Sequence, residues 1–297
     1  MNAITMKKSR EIILCVWAIT GCALPLAAQV QPHVTPPGHD ITPPAAAPQS
    51  TAPPQSDTKQ PQAPAATPES LEKGKAIVLA AAKAAGGDAL NDVKSIDVAS
   101  SGQADTPGGT MDISLKLVII YPNLLHSEAH LPIADISQGF DGSAGWVVSP
   151  QGTLDLPAEY AGEFDRGIAL AGAWGLYKQA LAGKIELQYL GDEDLDGKKV
   201  PAVQWHAMNG PVKLFFDPAT HLLIGAHFQS ITPQGIVETD QRWSDFHAVA
   251  GLQYPNHNVI FRDGSKFSDT TVQSVKVNTN PDRAIFSKPA TPPASAN

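Results

Sequence analysis

Several stretches of this sequence hold residues of the type and spacing that chemistry uses. Asp192-Glu193-Asp194-Leu195-Asp196-Gly197 sets oxygen ligands at alternate positions and then a turn glycine, like the first half of an EF-hand calcium loop. Such a loop closes on a bidentate acid at its twelfth position, which here is Val203. Strand-like flanks (Ile185 to Leu190, Val200 to His206) stand where helices are required, so an acidic hairpin turn is expected. Asp141-Gly142-Ser143-Ala144-Gly145 resembles a nucleophile elbow, but Asp141 occupies the place of the first glycine. Ser143 is therefore expected in a tight turn ahead of a strand at Trp146-Val147-Val148. Histidines 206, 221, 227, 247 and 257 contain no His-x-x-x-His pair, and no metal site is expected. Glu159, Glu163 and Asp165 could supply paired carboxylates, but on a helix such a group is ordinarily a solvated face. No glycine-rich phosphate loop precedes a helix. No catalytic residue, metal or cofactor is expected.

Both cysteines, Cys15 and Cys22, lie in the first 28 residues. Lys7, Lys8 and Arg10 form a positive head, Ile12 to Leu26 is apolar but short for a membrane span, and Leu26-Ala27-Ala28 supplies small residues for cleavage. Residues 1–28 read as a secretory signal, after whose removal no thiol chemistry remains. A second reading stays open: Ile19-Thr20-Gly21-Cys22 resembles a lipobox, in which 1–21 is removed and Cys22 is lipidated. Either way the chain is exported, to the periplasm or cell envelope. Eleven prolines between Pro32 and Pro68 mark residues 29–67 as a proline-rich linker that cannot bury enough apolar surface to fold. Residues 290–297 read as a similar tail, which leaves one domain, 68–289. A formal net charge of -8 argues against nucleic acid as a partner.

The domain reads as mainly β. Pro68-Glu69-Ser70 opens a helix that Gly86-Gly87 ends. Ile113, Leu115, Leu117 and Ile119 then alternate with Asp112, Ser114, Lys116 and Val118, as on a half-buried strand. Leu222, Ile224, Ala226 and Phe228 alternate again, and Val237, Thr239, Gln241 and Trp243 mark a more polar strand. Turn signals such as Asp141-Gly142, Asp196-Gly197, Asp217-Pro218 and Asp263-Gly264 imply hairpins and about ten or eleven strands. Pro157 to Leu181 interrupts them with a helical stretch that four glycines should break in two. The expected fold is α+β, a curved antiparallel sheet with a few helices against one face.

A series of short motifs runs through this domain in order. It comprises Asp141-Gly142-x-x-Gly145-Trp146, then Gly191 to Asp196-Gly197-Lys198, then Phe216-Asp217-Pro218-Ala219-Thr220-His221-Leu222. Asp245-Phe246-x-x-Val249-x-Gly251-Leu252-x-Tyr254-Pro255 and Asn280-x5-Phe286-x-x-Pro289 follow. The series resembles the outer-membrane lipoprotein-sorting superfamily, the LolA/LolB-like carriers, from Leu71 to Pro289. That resemblance implies an open half-barrel wrapped around helices, with the acyl chain of a lipid or lipoprotein in its hollow. Burying about sixteen carbons at roughly 0.8 kcal/mol per methylene gains about 12 kcal/mol before association costs. The hydrophobic lining is expected at Leu115, Leu117, Ile119, Trp146 and Phe228. One feature departs from the pattern. The periplasmic carrier governs release with an arginine on an early strand, whereas here no arginine lies between Arg10 and Arg166, and the early strand offers only Lys116. The release mechanism is therefore not carried over. A non-catalytic envelope interaction module with a filled core is the alternative, and a hydrolase the third reading.

Overall fold

The computed structural model describes residues 64–290 apart from 107, 233 and 234. The signal segment, Cys22, nearly all of the 29–67 linker and the tail beyond residue 290 lie outside the described residues. Helix α1 (Pro68–Ala85) begins where Thr67 Oγ1 accepts from the Ser70 amide at 3.1 Å and Ser70 Oγ accepts from the Thr67 amide at 2.9 Å. This reciprocal cap, followed by proline in the first turn, satisfies two orphan donors. The helix stops at Gly86, whose φ of 141° suits glycine alone. A single turn, α2 (Ala89–Asp92), leads into the sheet.

Six strands follow: β1 (Ser95–Thr106), β2 (Gly109–Ile120), β3 (Leu124–Leu131), β4 (Ala134–Phe140), β5 (Gly145–Ser149) and β6 (Gly152–Asp155). The helical insert comes next, as α3 (Ala161–Leu170) and α4 (Trp174–Leu181). Gly172 and Ala173, with φ near 60°, break it between the two helices, as its glycine content predicts. The second set comprises β7 (Leu187–Leu195), β8 (Lys198–Ala207), β9 (Gly210–Phe216), β10 (Leu223–Thr232), β11 (Gly235–Val249), β12 (Leu252–Arg262) and β13 (Ser265–Val277). All thirteen form one antiparallel sheet in the order β6-β5-β4-β3-β2-β1-β13-β12-β11-β10-β9-β8-β7. Neighbours in the chain pair as hairpins, and the one remote pairing, β1 with β13, joins the two halves. Because β6 and β7 do not pair, the sheet curves without closing. The count exceeds ten or eleven, and the connections at 121–123, 132–133 and 150–151 carry neither an Asp-Gly nor an Asn-Gly signal.

The core lies between the concave face and the helices. It combines Val78 and Ala82 of α1, Phe164 and Ile168 of α3 and Trp174 and Tyr177 of α4 with strand residues such as Ile96, Ile119, Val203 and Leu214. On β10 the alternation read from Leu222 to Phe228 is interrupted. The register shifts between Leu223 and Gly225, so Ile224 is a bulge residue and packs with Leu195, Val200, Ala202 and Phe215 on the other face. Leu222, Ala226 and Phe228 of that set belong to the main core, and Ile224 alone does not.

Where α1 meets the terminal strand β7, contact is backbone to backbone. A Cβ on Gly74 would fall 2.3 Å from the Leu187 carbonyl oxygen and 2.7 Å from the Tyr189 nitrogen. Glycine to alanine at an ordinary helical site gains about 1 kcal/mol. Overpacking against backbone that cannot yield costs about 1–3 kcal/mol. Gly74→Ala is therefore expected to lower the melting temperature, and a melt at or above wild type would show that α1 can slide away from β7.

Candidate functional site

The middle of the concave face and the helical insert do not meet completely. Between them lies a cavity of about 150 Å³. Pairing register fixes its floor. Val98 lies opposite Leu117, Ser100 opposite both Leu115 and Val272, and Thr239 opposite both Phe228 and Arg262. The insert forms the roof with Glu163, Arg166, Gly167, Leu170, Ala171 and Gly172. Tyr254, which meets Trp174 edge-on at 5.3 Å between ring centroids, closes one side. A shallower depression of about 490 Å³ crosses β2, β3 and β4 and shares Leu115 and Lys116 with the cavity.

The cavity wall is not wholly apolar. Glu163 is 0% exposed and Arg166 2%, which corrects the expectation that the carboxylates of this helix form a solvated face. Glu159 does sit in solvent. An Arg166 Nη2 to Glu163 Oε2 hydrogen bond joins the pair one helical turn apart. Asn209 Nδ2 donates to Glu163 Oε1 at 2.9 Å, and the Ile231 amide donates to the same oxygen at 3.4 Å. Burial lifts the Glu163 carboxyl above its ordinary range, and Arg166, Asn209 and the Ile231 amide pull it back only in part. The Arg166 guanidinium lies 4.2 Å from the Phe228 ring centroid, a cation–π contact, and donates to Ser230 Oγ at 3.4 Å. Ser230 Oγ also accepts from Thr239 Oγ1 at 3.0 Å.

No family model matches this sequence, and no curated protein matches it. Solved structures do resemble the fold. A LolA superfamily protein from Nitrosomonas europaea superposes with a TM-score of 0.51 at 15% identity, over 72% of this chain and 97% of that one. The chain has a LolA-like fold. A DUF1329 family protein from Desulfovibrio piger reaches a TM-score of 0.49 at 10% identity, over 73% of this chain and 97% of that one. A domain described as outer membrane lipoprotein-sorting from Vibrio parahaemolyticus reaches 0.46 at 11% identity, over 73% and 97%.

Within the LolA-like hollow, Leu115, Leu117 and Phe228 reach the cavity. Ile119 does not. It is 0% exposed in the packed core, in register with Leu125, which in turn pairs with Phe140. Trp146 is on the opposite face of the sheet from core residue Val147. There it packs near His126 and donates from Nε1 to the Phe286 carbonyl oxygen at 2.8 Å. Phe286 sits on the same face with Val118 and Leu124, so the C-terminal turn straps the outside of the sheet. From the sequence, Glu163 is expected only as part of a solvated carboxylate face, and Arg166 is not expected as a site residue. The available signal was the charged i, i+3 pair Glu163 and Arg166 interleaved with Phe164 and Ile168 in an insert otherwise rich in glycine and apolar residues.

The other candidates are held in local structure. Asp141 Oδ1 accepts from the Ser143 amide, the Ser143 hydroxyl and the Ala144 amide, each at 2.8 Å, so Ser143 belongs to a turn. Histidines 227, 247 and 257 each pair with acids close by, and His206 contacts Gln204. Among the described residues no group of three or more His, Cys, Asp or Glu side chains is placed to hold a metal. In the β7–β8 hairpin, Asp192 accepts from the Tyr189 hydroxyl, Asp194 from the Gly197 amide, and Asp196 pairs with Arg242. With these carboxylates engaged separately and Val203 in the closing position, calorimetric titration is expected to show no calcium binding at micromolar or tighter affinity. A micromolar dissociation constant would overturn this reading of the hairpin.

Proposed function

We propose that this protein is an exported, non-catalytic carrier-like protein that holds the acyl part of a lipid or lipoprotein, or another apolar ligand, in its LolA-like hollow. The supporting observation is a cavity bordered by half-buried aliphatic side chains, Leu115 and Leu117, within an otherwise packed core. About 150 Å³ is the scale of an apolar cavity that admits a benzene-sized group. A long acyl chain would therefore need the neighbouring depression over β2–β4, which the cavity meets at Leu115. Each methylene buried contributes about 0.8 kcal/mol, so even a partly enclosed chain can offset the cost of association.

Export rests on residues 1–28, and anchoring on Cys22. Among the described residues no helix is long and apolar enough to cross a membrane. The small cavity favours one rival, an envelope interaction module that binds protein partners on its outside. Mass spectrometry of natively purified protein decides among these readings. Solvent extraction is expected to release a stoichiometric amphiphile, and intact mass should give a chain that starts at Gln29 or at an acylated Cys22. Ligand-free protein that binds no added apolar probe would leave the interaction module. An uncleaved chain would remove export.

A further inference from the structure

The two ends of the cavity differ in chemistry. Toward β1 and β2 its lining is aliphatic, with Val98, Leu115 and Leu117 in adjoining register and Leu170 above them. Toward β10, β11 and β12 it is polar. There Arg166 and Thr239 both donate to Ser230 Oγ, and Thr239 lies opposite Arg262. The charged side chains on this inner face are Arg166 and Arg262 against the single carboxylate of Glu163, while Lys116 alternates with Leu115 and Leu117 onto the exposed outer face. The cavity is therefore cationic in a chain whose formal net charge is -8. Both Glu163 oxygens already accept hydrogen bonds, from Arg166, Asn209 and the Ile231 amide, so the one acid is neutralised within the wall. The Arg262 guanidinium lies 4.4 Å from the Phe267 ring centroid, which holds its planar face against an aromatic support.

From this polarity we infer that the ligand is an anionic single-chain amphiphile, with its carboxylate or comparable head group at the Arg166–Arg262 end and its chain toward Leu115 and Leu117. The inference rests on the carrier reading and adds a head-group preference to it. A wholly apolar ligand would leave the arginines and hydroxyls facing hydrocarbon, which is costly for polar groups. A cationic head group would meet the excess positive charge. An anionic head group gains charge-assisted hydrogen bonds at the end where the donors are gathered.

The test uses the whole chain and an uncharged fluorophore, phenylnaphthylamine, displaced in turn by decanoate, decanol and decylammonium. Decanoate is expected to compete at about tenfold lower concentration than decanol, the scale of one hydrogen bond to a charged group, and decylammonium least well. Arg262→Gln, at a half-buried position that the fold should tolerate, is expected to abolish the preference for decanoate over decanol. Lys276→Gln, on an exposed position of β13, should not change it. Equal competition by the three amphiphiles would overturn the head-group assignment and leave the carrier reading intact. So would a decanoate preference that survives Arg262→Gln. A protein that binds neither fluorophore nor amphiphile would overturn both.

Discussion

Arg166→Met is expected to destabilise the protein by about 3–5 kcal/mol at neutral pH, because it leaves a buried carboxylate without its cation. Glu163 would retain the Asn209 amide and the Ile231 amide, but burial already lifts its pKa with Arg166 present. Without the guanidinium it rises further. A carboxyl whose folded pKa stands above its unfolded value contributes stability that is fully present below the unfolded pKa, near 4.3. That contribution is lost as pH rises through the folded value. The variant's deficit should therefore be large at neutral pH and shrink as the medium approaches the ordinary carboxylate range. His227, raised mainly by its hydrogen bond to Asp240, also favours the folded state on acidification. It does so in both proteins and cancels in the difference. The double variant Glu163→Gln/Arg166→Met should recover much of the loss, since replacing both members of a buried pair is often close to neutral. Urea melts at neutral pH and near pH 5 measure this. A single variant within about 1 kcal/mol of wild type at neutral pH would mean that the pair is solvated, contrary to its burial.

The frame of the molecule was legible where local chemistry specifies it. Turns such as Asp141-Gly142, Asp196-Gly197 and Asp217 to His221 are built from side chain to backbone hydrogen bonds and left-handed backbone positions that only a few residue types supply. Those same residues make up most of the motif series that resembles the lipoprotein-sorting carriers, so the resemblance tracked the hairpin frame and the Phe286 strap. Alternation on β2 and β11 also marked the concave face, where Leu115, Leu117, Thr239 and Gln241 reach the cavity.

The site itself was harder to read because periodicity says which residues share a face and not what lies across from them. Ile119 shares the inner face of β2 with Leu117, yet the curvature of the sheet brings it under packed side chains instead of the hollow. Trp146 was placed inside because a large aromatic on a strand is normally core. It is buried, but by the C-terminal turn on the outer face, a contact 140 residues away in sequence. Ile224 was misplaced by a bulge that shifts register by one residue. Glu163 was read as solvated because a helix with spaced acids usually faces water. Asn209 from the distant β8–β9 turn and the Ile231 amide from β10, together with Arg166, are what make its burial tolerable.

Phe164→Ala and Leu117→Ala separate core from hollow by size of effect. Phe164 is 0% exposed, stacks on Phe140 with ring centroids 5.0 Å apart, and lies so close to Gly145 that a Cβ there would come within 2.6 Å of its ring. Truncating it empties a tightly enclosed space and should cost about 3–5 kcal/mol, a large share of the roughly 5–15 kcal/mol that holds a domain together. It also loosens α3, which carries Glu163 and Arg166 over the cavity. Leu117 is half-buried and faces the cavity on one side, so it has fewer contacts to lose. Its truncation should cost at most about 2 kcal/mol, the low end for such changes, and should weaken binding of an apolar probe in the folded protein several-fold. Paired urea melts and probe titrations of the two variants make the comparison. If Leu117→Ala proves as destabilising as Phe164→Ala and leaves probe affinity unchanged, Leu117 is ordinary core, the hollow is filled by its own side chains, and the carrier reading fails.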